Sequence, residues 1–488
     1  MNNKIIYTLL LIICYAFANA QDVKELSLQQ VIELAKEQSV GSKKAKSNAV
    51  TKYWQYRNYK AGFKPQLALN GTLPDFTRSI LPTPQNDGSI AFRTRSLANS
   101  SLAMSLTQNI GLTNSQLFVS SDIERLDLFS PTTSVNYLTN PAVVGIRQTL
   151  FGFNSYKWDT KIEPLKYEES KRQYAEEIEA VSVQATQLYF NLLLAQISHD
   201  IQMKNVANND TLFRISKGRY NLGKIAENEL LQMELNVMNA NSSLTQTDLD
   251  VQLGEMQLST FLRLPAKQKF TLKAPPLIPE FNVDVNTALN EAKKNRQTVI
   301  GIERQRMEAE RDLKRAVGES GLNVNVTASY GLTQSHALLN EAYANPQSTQ
   351  RASVGFSVPI FDWGKAKSQI KTAYANKEMV EVTSEQDLQN FEQEIYILVK
   401  QIEMYRMKLK IAYKSDTIAQ KRYDLTMKRY MIGKISITDL NTALQEKDNA
   451  KRGFIEALRT FWNAYYELRR KTLYDFEKGE AIKYEYKN

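Results

Sequence analysis

The sequence predicts a mixed α/β protein in which one unit, long helices joined to alternating strands, occurs twice. Three observations predict it. From Lys365 to Ile432 the chain holds neither Gly nor Pro, a run of 68 residues that would reach about 100 Å as one helix. The heptapeptide Arg219-Tyr220-Asn221-Leu222-Gly223-Lys224-Ile225 returns as Arg429-Tyr430-Met431-Ile432-Gly433-Lys434-Ile435, five of seven residues alike at an offset of 210. Ahead of each long run, every second residue of certain segments is apolar, the period of a strand with one apolar face.

Composition narrows the classes. The chain has 488 residues, 42% hydrophobic and 23% charged, with one Cys, two His and 19 Gly. A lone Cys excludes a disulfide scaffold, and two His exclude a His-built metal centre, so no metal and no cofactor are expected. Lys and Arg number 62 against 52 Asp and Glu, for a net charge of +10. The charges are interspersed, which reads as a basic surface, not as nucleic-acid binding. His199 falls in a helical seam and His336 in a polar loop, at unrelated places. Glu176, Glu177, Glu392 and Glu394 read as solvated helix-face charge. No nucleophile, base and orienting group are brought together, so no catalytic residue is expected and the chain is not read as an enzyme.

The elements follow in order. Lys4 precedes the apolar run Ile5 to Phe17, which ends at Ala18-Asn19-Ala20. Residues 1–20 therefore read as a secretory signal peptide, with the only cysteine, Cys14, inside it. The first unit, 21–264, opens with a helix from Leu28 to Lys60. A rod follows from Tyr156 to Lys217 with Pro164 near its start, then a return helix from Ala226 to Leu262. Residues 265–284, with Pro265, Pro275, Pro276 and Pro279, form a linker. The second unit, 285–474, repeats the plan: a helix from Val285 to Val317, strands, the Lys365 rod and a return helix from Ile437 to Tyr474. Residues 475–488 form a polar tail. Both rods carry heptad seams: Ile178, Val181, Ala185, Leu188, Leu192 and Ala195 in one, Leu388, Phe391, Ile395, Leu398, Ile402, Tyr405, Leu409 and Ala412 in the other. Such seams require helices alongside.

The strands carry the membrane argument. In the second unit Leu322, Val324, Val326, Ala328 and Tyr330 alternate with small or polar residues, as do Ala352, Val354, Phe356, Val358 and Ile360. The first unit offers Gln66 to Leu73 and Val143 to Phe151. Between them the extended segment 74–142 includes Leu102, Met104, Leu106, Ile110 and Leu112 in alternation, read either as an added hairpin or as an enlarged outer loop. Nine residues or more suit a tilted membrane strand. Four strands cannot close a barrel, and lipid tolerates no open sheet edge. Several copies must then share one wall; three would give twelve strands.

The order of these elements resembles the outer-membrane efflux protein family, the TolC-like channels of Gram-negative bacteria, over about Leu26 to Tyr474. Val358-Pro359-Ile360-Phe361-Asp362-Trp363-Gly364 resembles the family's strand-to-helix junction. Thr149-Leu150-Phe151-Gly152-Phe153-Asn154 is its counterpart, with Thr149 in place of the proline and Asn154 in place of the glycine. Ile162 to Glu168 and the extended first loop are similar to Bacteroidota members. The resemblance implies a homotrimer: a trimeric 12-stranded outer-membrane β-barrel, continued by a long α-helical barrel in the periplasm. It implies as partners a periplasmic adaptor, an inner-membrane pump, outer-membrane lipid and small-molecule substrates, with no nucleic acid. No bond is made or broken in such a duct.

The resemblance also assigns the tip. Gly223 and Gly433 stand between long helices, where a left-handed turn is needed. With Arg219, Tyr220, Lys224, Arg429, Tyr430 and Lys434 they would form the adaptor-docking edge; ordinary hairpin capping and solvated charge are the plainer readings. In the family an acidic residue six positions after the second tip glycine lines the periplasmic aperture. That position is Asp439, with Glu229 its first-unit equivalent and Thr442 where a second aspartate is expected. For Glu229 the plainer reading is an acid favoured by the helix dipole. The main expectation is an exit duct of a tripartite efflux system. The alternatives are the exit duct of a type I protein secretion system and, in a different class, a secreted coiled-coil structural protein.

Overall fold

The computed structural model describes residues 24–85, 87–265, 269–275 and 281–485. The expected signal peptide, and Pro276 and Pro279 of the linker, lie outside the described residues. The described residues form two compact units, each drawn from both halves: one holds those within 1–50, 170–299 and 388–488, the other those within 51–169 and 300–387.

The first unit is mainly helical. Strand β1 (Lys24–Leu26) leads into helix α1 (Leu28–Gln38), whose N-terminus Ser27 closes with Gln30 in a reciprocal capping box. The helix expected from Leu28 to Lys60 breaks at Ser39, whose backbone is extended while its hydroxyl accepts from the Ser42 N–H; α2 (Val40–Ala61) follows. Four strands within 66–150 separate α2 from the first rod, α3 (Ser155–Asn221), which runs on through Pro164. Its return helix is α4 (Glu227–Leu262). Strand β6 (Phe270–Leu272) pairs in parallel with β1. The second half repeats this: α5 (Val285–Asn295), a break at Arg296, α6 (Gln297–Glu319), the rod α7 (Lys365–Met431) and its return α8 (Ile437–Thr472). The two rods are each 67 residues long and the two return helices each 36.

The seams are where the core forms. Val181, Ala185 and Leu192 of α3 and Phe391, Ile395, Ile402 and Leu409 of α7 are buried in one cluster, with Leu258 of α4 and Phe461 of α8; Ile178 of the first seam is buried as well. Each large apolar side chain so buried stabilises by roughly 1.5–3 kcal/mol. Tyr189, fully buried, donates its hydroxyl to the carbonyls of Leu26 (3.3 Å) and Lys273, fastening α3 to the β1–β6 pair. Burial raises its pKa.

Two glutamates read as solvated charge are paired instead. Glu176 accepts from Arg296 Nε at 3.2 Å and from the Gln297 N–H, and Glu394 pairs with Arg296 at 3.0 Å and with Lys471. The break between α5 and α6 places Arg296 between them, where it is 8% exposed. Burial alone would raise the Glu394 pKa, yet hydrogen bonding to Lys471 and the charge of Arg296 hold it low. A second buried set centres on Glu179, which takes Lys36 at 3.2 Å, Arg469 at 3.3 Å and the Tyr484 hydroxyl. Arg469 also pairs with Asp475, so the chain after α8 is tied back to α3. A cavity of about 1270 Å³ beside this set is lined by Lys36, Lys273, Trp462 and Tyr484.

The second unit holds one six-stranded antiparallel sheet. In chain order its strands are β2 (Gln66–Pro84), β3 (Ile90–Ile110), β4 (Ser115–Ser130), β5 (Ser134–Leu150), β7 (Asn323–His336) and β8 (Gln347–Ser357). They lie side by side in that order, leaving β2 and β8 as open edges. The sheet of one chain therefore holds six strands where four were expected. Most of segment 74–142 is not a loop but two complete strands and the outer parts of two more. The alternation at Leu102, Met104 and Leu106 is satisfied by ladders on both sides. Among the described residues no helix is long and apolar enough to cross a membrane.

Candidate functional site

Two places are candidates for function: the faces of the sheet and the turns of the two helical hairpins.

On the sheet, register sorts the side chains. Leu67, Leu106, Val119, Val144 and Tyr330 are successive cross-strand partners, one per strand. A parallel row on the same face, six residues along each strand, runs through Leu150, Val324 and Phe356. Apart from the half-buried Val324 these side chains are exposed, Leu67 by 67% and Phe356 by 77%. Successive residues of a strand point to opposite faces, so the alternate row, Gln66, Thr107, Phe118, Gly145, Ser329 and Arg351, lies on the other side. That face carries paired polar groups: Asn99 with Glu124 at 2.7 Å, Asn140 with Asp122 at 2.7 Å, Arg147 with Gln116 at 3.0 Å. Gly145 is required there, because a Cβ would overlap the Phe118 ring and the Ala328 carbonyl. An exposed apolar face backed by a polar one is the inverse of a soluble sheet and the pattern of a membrane barrel wall.

The junctions that feed the rods are capped by side chains. Asp362 accepts from the N–H groups of Gly364 (2.9 Å) and Ala366 (2.7 Å) at the start of α7, and those bonds depress its pKa. Trp363 and Gly364 take left-handed backbones, φ +54° and +83°. In the first half Asn154, which stands where the second half has Gly364, does the capping itself, accepting from the Lys157 N–H at 3.1 Å.

At the hairpin ends Gly223 and Gly433 have φ of +68° and +75°. Each turn closes alike: Gly223 N–H donates to the Tyr220 carbonyl and Lys224 N–H to Arg219, with the same pair from Gly433 and Lys434 to Tyr430 and Arg429. These satisfy the last carbonyls of the rods. The two tyrosines then part company. Tyr220 is 39% exposed; Tyr430 is 4% exposed, packed with Leu212, Met233, Tyr423 and Leu440. Its hydroxyl meets Ser216 at 3.2 Å. Arg219 crosses from the other turn, while Lys224, Arg429 and Lys434 are exposed.

The acidic pair also differs. Asp439 completes a capping box at the start of α8: Ser436 Oγ accepts from the Asp439 N–H at 3.2 Å, and the Ser436 N–H donates to the Asp439 carboxylate at 3.3 Å. Glu229 lies in the first turn of α4, whose cap, Ala226, has no side-chain acceptor. Leu222 and Ile432, each just before a tip glycine, are 73% and 65% exposed. The sequence reading left them out of the site, although an apolar residue at the same place in both heptapeptides was the available signal. Among the described residues no group of three or more His, Cys, Asp or Glu is placed to hold a metal ion.

Known proteins match this architecture. The family model described as outer membrane efflux protein matches residues 105–262 and 320–472, more than half of the chain. Comparison with curated proteins gives no match. Among solved structures, the Campylobacter jejuni CmeC outer membrane channel is similar over 91% of this chain and 85% of its own, at 16% identity and a TM-score of 0.67. A membrane protein from Pseudomonas aeruginosa matches over 94% and 93%, at 15% identity and 0.67. The Neisseria gonorrhoeae MtrE outer membrane channel, in its open state, matches over 91% and 88%, at 16% identity and 0.60. At these identities the structures establish the fold, and the family model covers both halves. The chain therefore belongs to the outer membrane efflux protein family, the TolC-like outer-membrane channels, which are passive conduits and not enzymes.

Proposed function

We propose that the chain is the outer-membrane exit duct of a tripartite efflux system and conducts small molecules passively from an inner-membrane pump and a periplasmic adaptor to the exterior. The observation that carries this reading is the six-stranded sheet with an exposed apolar face and two open edges. In lipid such edges must be paired, and β8 of one copy offers itself to β2 of the next. Three copies, as the resemblance implies, would close the wall and gather three sets of helical hairpins about one axis, each chain being one unit repeated in tandem. The turns at Gly223 and Gly433, with Leu222 and Ile432 at their apices, would meet the adaptor. Glu229 and Asp439 would ring the aperture, where clustered carboxylates attract cations.

The test is removal of the chain from its host. Fractionation should find it in the outer membrane as a trimer, and its loss should raise retention of a fluorescent efflux dye severalfold. A soluble monomer, or unchanged retention, overturns the proposal.

A further inference from the structure

Strands β3 and β4 form a hairpin inserted between β2 and β5, with no equivalent between β7 and β8. We infer that this hairpin is part of the membrane wall itself, so that each copy supplies six strands and a three-copy duct is eighteen-stranded. The inference rests on the pore reading above and deepens it. Because barrel diameter grows roughly linearly with strand number, the outer-membrane section would be about one and a half times as wide as a twelve-stranded one.

Three observations carry this. The hairpin is paired on both flanks, β3 with β2 from Gln66 to Pro84 and β4 with β5 from Ser115 to Leu128. Its apolar residues fall in line with those of the other strands: Leu106 and Val119 link Leu67 to Val144, and Leu102 stands opposite Ile123. A hairpin lying above the bilayer has no use for an apolar row in register with the wall. Its turn is also anchored at the foot of the sheet. Asn109 Nδ2 donates to the Gly62 carbonyl at 3.1 Å, and Asn154 Nδ2 to Gly111 at 3.1 Å, which joins the turn to the end of α2 and the cap of α3.

The strands outrun the bilayer only at their other ends. β2 and β3 have 19 and 21 residues where about 9–11 suffice for a crossing. Beyond the apolar rows come Arg78, Arg93 and Arg95. Pro74, Pro82 and Pro84 stand on the edge strand β2. They remove donors, which confines the seam with a neighbouring copy to the Gln66–Leu73 part.

Single-cysteine variants test the inference in assembled protein reconstituted in lipid, with Cys14 in the segment to be removed. Met104→Cys and Ser105→Cys probe the two faces of β3; Val326→Cys and Thr327→Cys probe β7 as a reference. A charged, membrane-impermeant thiol reagent should modify Ser105→Cys and Thr327→Cys at least about tenfold faster than Met104→Cys and Val326→Cys, since a lipid-buried thiol holds little thiolate. If β7 alternates while the β3 pair reacts equally, the hairpin lies outside the wall and the inference falls, with the pore reading intact. If neither pair alternates, both fall.

Discussion

The guanidinium of Arg219 lies 5.3 Å from the centre of the Tyr430 ring and donates to the Met431 carbonyl at 3.0 Å. One hairpin end thus caps the other: the cation neutralises the negative end of α7 and fixes Tyr430 inside the tip core. Replacing Arg219 with Ala should destabilise the tip by about 1–2 kcal/mol, seen as faster amide exchange around 425–435. Arg429→Ala, at the equivalent but exposed position, should change exchange little. Equal effects would show that the crossing contact is not what holds the tip.

The two return helices start unequally. Ser436 and Asp439 cap α8 reciprocally, whereas α4 begins at Ala226 with Glu229 already in place for the same box. Ala226→Ser should complete it and stabilise the start of α4 by about 1 kcal/mol; Ser436→Ala should cost about as much at α8. Local amide exchange measures both.

Asp439 also carries the aperture reading, since its carboxylate is on an exposed turn. Asp439→Asn should lower the cation preference of single-channel currents in a salt gradient. An unchanged current ratio would leave Asp439 as a cap alone.

At Gly223 and Gly433 space is open, so substitution is opposed by the backbone and not by crowding. Valine at either site should cost about 1–2 kcal/mol for the left-handed turn. The doubly substituted protein should still assemble but lose adaptor binding, as should Leu222→Asp with Ile432→Asp. Full adaptor binding by all of these would remove the turns from the docking surface.

Acid should loosen the α7 junction. Asp362 has a depressed pKa in the folded chain, because the Ala366 and Gly364 N–H groups favour its ionised form. Its contribution is therefore present above the unfolded value of about 3.9 and lost as pH falls through the lower folded one. Amide exchange at Gly364 and Ala366 should rise as the pH falls below about 4, relative to Asp362→Asn, which lacks this titration. A parallel response in both proteins would exclude Asp362 as the cause.

Much of the helical plan was open to sequence reading because it is local. A run free of Gly and Pro, an apolar residue every three or four positions and a glycine at each reversal depend on residues within a few turns of one another. Those signals located both rods, both returns and both left-handed turns, and the order of elements led to the family. The breaks at Ser39 and Arg296 were less visible: one needs a serine to cap its own helix, the other an arginine drawn to two glutamates far away in sequence.

What the sequence determined by itself, then, is the set of elements and the faces they must bury, because propensity and periodicity act along the chain. The tertiary structure decided what those faces meet. The same Arg-Tyr heptapeptide yields a half-exposed Tyr220 and a buried Tyr430, since only one ring finds Ser216 and Arg219 across the tip. Alternation at Leu102 to Leu112 is equally compatible with a loop hairpin and with a wall. Only pairing with β2 and β5 made six strands of an expected four, because a strand's hydrogen bonds are completed by its neighbours and not by its own residues.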